Sequence, residues 1–155
     1  MFSLIISVLS IALFGVIVLA GITHLPADLG SRLQTSTQTA TGFSQLATAF
    51  YAYRDAHGSA PAVTGWADTL TPAYGFYPTP PKGLTWSYGD NGTGGYWFCL
   101  SGAFTKSQHQ AVTALAEQYS AQAYFLAPAC GATANGAPPA SFPQTYAATY
   151  WVTAP

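Results

Sequence analysis

From Phe2 to Ala27 the chain carries no acidic or basic side chain except His24. Its core, Phe2 to Ile22, is almost bare hydrocarbon. A helix rises about 1.5 Å per residue, so this stretch reaches roughly 30 Å, the depth of a bilayer's hydrocarbon. Three readings fit such a segment: a cleaved secretory signal, a simple membrane anchor, or an anchor that leaves lipid to become the core of a fibre. A signal needs a basic flank before the apolar run. Here no Lys or Arg precedes it, and the first cation is Arg32. The run is also long for a signal, so the two anchor readings are carried forward. Ser3, Ser7 and Ser10 share one helix face, and with Gly15 and Gly21 they suit close helix–helix contact.

Beyond the run the chain is polar but hardly charged. Charged residues make up 6% of the 155, and the net charge is −1; soluble proteins average about 25% charged. A surface this neutral favours association over repulsion. Four Lys+Arg in all predict no direct nucleic-acid binding by charge, because neutralising many phosphates needs more cations. Cys99 and Cys130 are the two cysteines. In an exported domain they most simply form one disulfide, closing a loop of roughly 30 residues worth about 3–4 kcal/mol. The alternative is two unrelated buried thiols. Without a Cys-x-x-Cys or a nearby His pair, a metal site is the weaker reading.

Pro26 lacks an amide donor and kinks or restarts the helix. Around and beyond it Leu25, Leu29 and Leu33, then Phe43, Leu46, Ala47, Phe50 and Tyr53, keep a helical rhythm. Gln34, Ser36, Gln38, Thr41, Ser44 and Thr48 lie between them, so this half is amphipathic and one stripe can dock on a domain. Thr35 to Thr41 is weak helix by propensity. Gly58 supplies a C-terminal stop, with Pro61 just beyond. The whole reads as one helix of roughly 50 residues, about 75–80 Å long. Ala60 to Gly83 is broken by proline and glycine into loop. Leu84 to Tyr88 and Tyr96 to Leu100 alternate as strands around the turn signal Asp90-Asn91-Gly92. Thr105 caps a helix from about Lys106 to Tyr119. Tyr124 to Leu126 is a short apolar strand or turn, Cys130 to Pro143 a loop, and Tyr146 to Val152 a final strand.

Catalytic constellations are missing from this pattern. His24, His57 and His109 are far apart in sequence, and Asp55 with His57 suits a local hydrogen bond better than a dyad. Five Asp+Glu leave little for paired-carboxylate chemistry or a calcium cage. Gly92 to Gly95 has no Gly-Lys-Ser/Thr after it, so it reads as hairpin and not as a phosphate loop. Asn91-Gly92-Thr93 matches the glycosylation sequon, and turn chemistry explains it more simply. The aromatic residues, among them Trp66, Tyr77, Trp86, Trp97 and Trp151, suit core packing and subunit contacts. The reading is therefore of a non-enzyme without cofactor or metal.

The residues from Met1 to Ile5, the apolar run, Pro26, the hairpin from Trp86 to Leu100 and the pair Cys99/Cys130 together resemble the type IV pilin family, closest to type IVb pilins and minor pilins. The resemblance implies an α+β fold, with a long N-terminal helix whose apolar half protrudes and whose amphipathic half docks on a small antiparallel sheet. It divides the chain into a filament-core helix, 1–27, and a globular domain, 28–155, comprising helix 28–57, loop 58–83 and a disulfide-bonded sheet region, 84–155. It implies a basic leader removed by a prepilin peptidase, a methylated N-terminus at Met1, and filament packing through Phe2, Leu4, Ile5, Val8, Ile11, Phe14 and Val18. The family usually carries glutamate where this chain has Ile5, so the customary pairing with a neighbour's amine is missing. The implied function is a structural subunit of an extracellular pilus serving adhesion, motility or DNA- and phage-related roles. The subunit is held in the bacterial inner membrane before assembly and handled by the pilus machinery. Its principal partner is itself, as a helical homopolymer. The alternative is a membrane-anchored or pilus-tip adhesin that grips carbohydrate with Trp/Tyr-rich loops.

Overall fold

The computed structural model describes residues 28–155, of which 31–155 form one compact unit. The described residues form seven elements, in chain order α1 (Leu29–His57), α2 (Trp66–Leu70), β1 (Leu84–Asp90), β2 (Tyr96–Phe104), α3 (Lys106–Leu115), β3 (Tyr124–Ala127) and β4 (Gln144–Trp151). The strands form one antiparallel sheet in the order β1-β2-β4-β3. The fold is thus α+β, a long helix packed on a small sheet with one disulfide.

Period-two alternation sends two sets of side chains to opposite faces of the sheet. Register aligns Tyr88, Phe98, Tyr150 and Tyr124 in one row, and Trp86, Leu100, Ala148 and Leu126 in the next. These rows form the core with the buried stripe of α1, namely Phe43, Leu46, Ala49 and Phe50. Phe43 is its centre, with ring centroids 5.0 Å from Trp86, 5.5 Å from Tyr150 and 6.0 Å from Tyr124. The helix comes so close to β1 at Gly42 that a Cβ there would lie 2.3 Å from the Trp86 ring. Thr35 and Thr39 are buried on the same stripe. Packing therefore holds a stretch whose β-branched residues disfavour helix. At its end the Gly58 amide donates to the Arg54 carbonyl at 2.7 Å, with Gly58 at φ 70°, the left-handed geometry that stops a helix.

α3 opens with a reciprocal cap. The Gln108 amide donates to Thr105 Oγ1 at 3.3 Å, and the Thr105 amide donates to Gln108 Oε1 at 2.9 Å. The helix stops at Leu115, short of Tyr119; tight turns then carry Tyr119 into the core, stacked on Tyr124 at 5.1 Å. α2 is a five-residue helix inside the segment expected to be loop.

On the opposite face of the sheet Cys99 is fully buried and bonded to Cys130, with Cα atoms 5.7 Å apart. The loop after Cys130 lies over this face. The Gly131 amide donates to Thr149 Oγ1 at 3.1 Å, Trp151 Nε1 to the Ala132 carbonyl at 2.9 Å, and the Gly136 amide to the Leu126 carbonyl at 2.7 Å.

Among the described residues no helix is long and apolar enough to cross a membrane. This corrects the expectation of a pilus subunit held in the inner membrane by a transmembrane helix, along with its localisation and the membrane-anchored or pilus-tip adhesin alternative. The physical reason lies in α1. Its buried apolar residues, Phe43, Leu46, Ala49 and Phe50, face the sheet, while Ser, Thr and Gln make up most of the other face. Met1, Phe2, Leu4, Ile5, Val8, Ile11, Phe14, Val18, His24 and Pro26, with the expectations placed on them, lie outside the described residues.

Candidate functional site

From Leu33 to Tyr53 the helix has no charged residue. Its sheet-facing stripe is buried, so the outward face is built from Gln34, Thr37, Thr41, Ser44, Gln45 and Thr48, all exposed, with Gln38 half-buried. The spacing of 34, 38, 41, 45 and 48 follows the helical repeat, which stacks these amides and hydroxyls in one row.

The Pro-rich segment before β1 runs beside this row and makes it a groove. Pro78 and Pro81 are buried, which fixes the segment against the body. Three consecutive clefts result. The middle one, about 230 Å³, lies between Gln38, Thr41 and Gln45 on one side and Pro78 and Thr79 on the other. Towards the start of α1, sharing Gln38, a cleft of about 320 Å³ is lined by Gln34, Thr35, Lys82, Thr105 and Gln108. Towards its end, sharing Gln45, one of about 200 Å³ is lined by Ser44, Thr48, Tyr74 and Phe76. Among the described residues, Lys82 is the one formally charged side chain in these three linings. Phe76 stands at the rim, 83% exposed, and Tyr77 beside it is 44% exposed. Gln108 joins the wall to the fold, since its Nε2 donates to the Lys82 carbonyl at 2.9 Å.

Such a lining offers hydrogen bonds, apolar contact and little charge. Among the described residues no lining hydroxyl is shown hydrogen-bonded to the Lys82 amine. His57 Nδ1 lies 3.1 Å from the Tyr53 carbonyl and 3.4 Å from the Tyr74 hydroxyl, with its ring stacked on Tyr53 at 4.2 Å. Its local hydrogen bond is thus to Tyr53 and not to Asp55. His109 is elsewhere, its ring against Phe142 and Tyr146, and Nε2 is buried without a partner. Burial holds its pKa below the ordinary imidazole value. Burial also pushes the phenols of Tyr88 and Tyr124 up. Among the described residues no group of three His, Cys, Asp or Glu side chains could hold a metal ion.

Asn91 belongs to the exposed hairpin tip, where its Oδ1 accepts from the amides of Thr93 and Gly95, each at 2.9 Å. Cys99 and Cys130 are the two predicted site residues that the structure describes, and it joins them. From sequence, most of the polar row of α1 is visible but passes for a solvated face. The signal that marks it out is a solvent-facing helix without charges. Nothing in the sequence marks Phe76, because exposure in an irregular segment leaves no periodicity.

Compared with protein-family models, curated proteins and solved structures, the chain matches none.

Proposed function

We propose that the described part of this chain is a non-catalytic packing module of pilin-like architecture whose partner is a second copy of the same chain. The observation that carries this reading is the charge-free outward face of α1. A helix face meant only for water is normally charged. Amides and hydroxyls suit an interface, because each can donate and accept and the face meets its own copy without like-charge repulsion. Exposed Phe76 and Tyr77 at the rim add aromatic surface of the kind enriched at interfaces. The disulfide suits a domain that works in an oxidising environment.

The test is sedimentation velocity on the full chain and on a variant with Gln38→Arg and Gln45→Arg. Both positions lie outside the buried core, so the fold is retained. The reading predicts concentration-dependent association in the parent, weakened about tenfold or more by juxtaposed cations. An association constant unchanged in the variant, or a parent that stays monomeric at every concentration, contradicts it.

A further inference from the structure

The hairpin tip between β1 and β2 brings together the parts of an acyl-transfer site. Its nucleophile is the backbone nitrogen of Gly92, tethered to the Asn91 side chain so that attack on Cγ closes a five-membered ring. The Gly92 N–H donates to Asp90 Oδ1 at 2.7 Å, within the reach required of a general base. Asn91 Oδ1, where negative charge develops during attack, already accepts two backbone amides, Thr93 and Gly95, each at 2.9 Å. Two fixed N–H donors on the oxygen of a carbonyl under attack form an oxyanion hole. Asp90 to Gly94 are exposed, so water reaches the tip.

We propose that Asn91 is a self-modifying site whose native geometry promotes its own deamidation. The Gly92 nitrogen attacks Asn91 Cγ as its proton passes to Asp90 Oδ1, forming the N–Cγ bond and a tetrahedral oxyanion held by Thr93 and Gly95. Collapse breaks the Cγ–Nδ2 bond. Nδ2 takes the proton back from Asp90 and leaves as ammonia, giving a cyclic imide. Water opens the imide at either carbonyl, leaving aspartate or isoaspartate at position 91. The product carries one more negative charge, set beside Asp90 on a chain whose net charge is −1.

The chain contains its own reference. Asn135 is also followed by glycine, but the Gly136 amide donates to the Leu126 carbonyl at 2.7 Å, and Asn135 Oδ1 accepts one amide, Leu126, at 2.8 Å. The same dipeptide there has neither the carboxylate nor the paired donors.

The experiment is peptide-resolved mass spectrometry of the full chain aged at neutral pH, folded and in urea, for the parent and Asp90→Asn. That variant keeps an oxygen for the Gly92 amide and removes the base; the peptide maps distinguish the asparagine it introduces. In the folded parent Asn91 should convert about tenfold or more faster than Asn135, and faster than Asn91 does in urea. Asp90→Asn should bring Asn91 down towards the Asn135 rate without altering Asn135. Equal rates at the two sites in the folded chain, slower conversion of Asn91 folded than unfolded, or an unchanged Asn91 rate in Asp90→Asn would each overturn the proposal.

Discussion

Gly42 and Gly30 sit on the same helix and have opposite meanings. At Gly42 a Cβ would meet the Trp86 ring at 2.3 and 2.9 Å, whereas at Gly30 it would meet nothing within 4 Å. Alanine favours helix over glycine by about 1 kcal/mol. Gly42→Ala should nevertheless lose about 1–3 kcal/mol of stability, because Trp86 is wedged against Phe43 and has nowhere to go. Gly30→Ala should be neutral or gain up to about 1 kcal/mol. Urea denaturation of the two variants checks this, and equal effects would refute the close packing at Gly42. His109 gives a second prediction at this scale. Its folded pKa lies below the ordinary value of 6.5 because burial disfavours the charged ring. As pH falls through 6.5 the unfolded chain takes up the proton first, so stability is full above that value and declines towards the lower folded one. Melting temperatures across this window should fall with pH in the parent, and the fall should be shallower in His109→Phe. Equal slopes would show that His109 does not contribute.

At the scale of elements, legibility followed periodicity. The stretch Phe43 to Tyr53 announced a docking stripe, and the structure buries Phe43, Leu46 and Phe50 against the sheet. Asp90-Asn91-Gly92 announced the hairpin, and Leu84 pairs through to Gly102 around it. α2 left no such trace, because five residues among prolines and glycines are too short to show a helical repeat. The strand order was illegible for another reason: placing β4 between β2 and β3 depends on contacts distant in sequence. The groove was half legible, its amides readable on α1 and its proline-rich wall set by burial of Pro78 and Pro81. The loop after Cys130 offers a test at this scale. It has no regular element of its own and is held by the disulfide and a few hydrogen bonds to Thr149, Trp151 and Leu126. Replacing both cysteines by serine should cost about 2–5 kcal/mol in denaturant titrations. It should also raise amide exchange in residues 128–143 above that of β2. A variant with the parent's stability and exchange pattern would mean that the loop is fixed without the bridge.

For the whole molecule the central matter is what the groove meets. Among the described residues, one side of the sheet is occupied by the helices and the other carries the disulfide loop, which leaves the outward face of α1 as a long, regular, uncharged surface. Its row of amides provides the probe. In a dilution series followed by NMR, the side-chain amide signals of Gln38 and Gln45 report on that face, and those of Gln110, exposed on α3, serve as the reference. Association through α1 predicts that the Gln38 and Gln45 signals move with concentration while Gln110 stays still, and that Gln38→Arg with Gln45→Arg shifts the concentration dependence of the neighbouring Gln34 to about tenfold or more higher concentration. Signals of Gln38 and Gln45 that do not respond to concentration, in a chain that still associates, would contradict the account by placing the contact elsewhere.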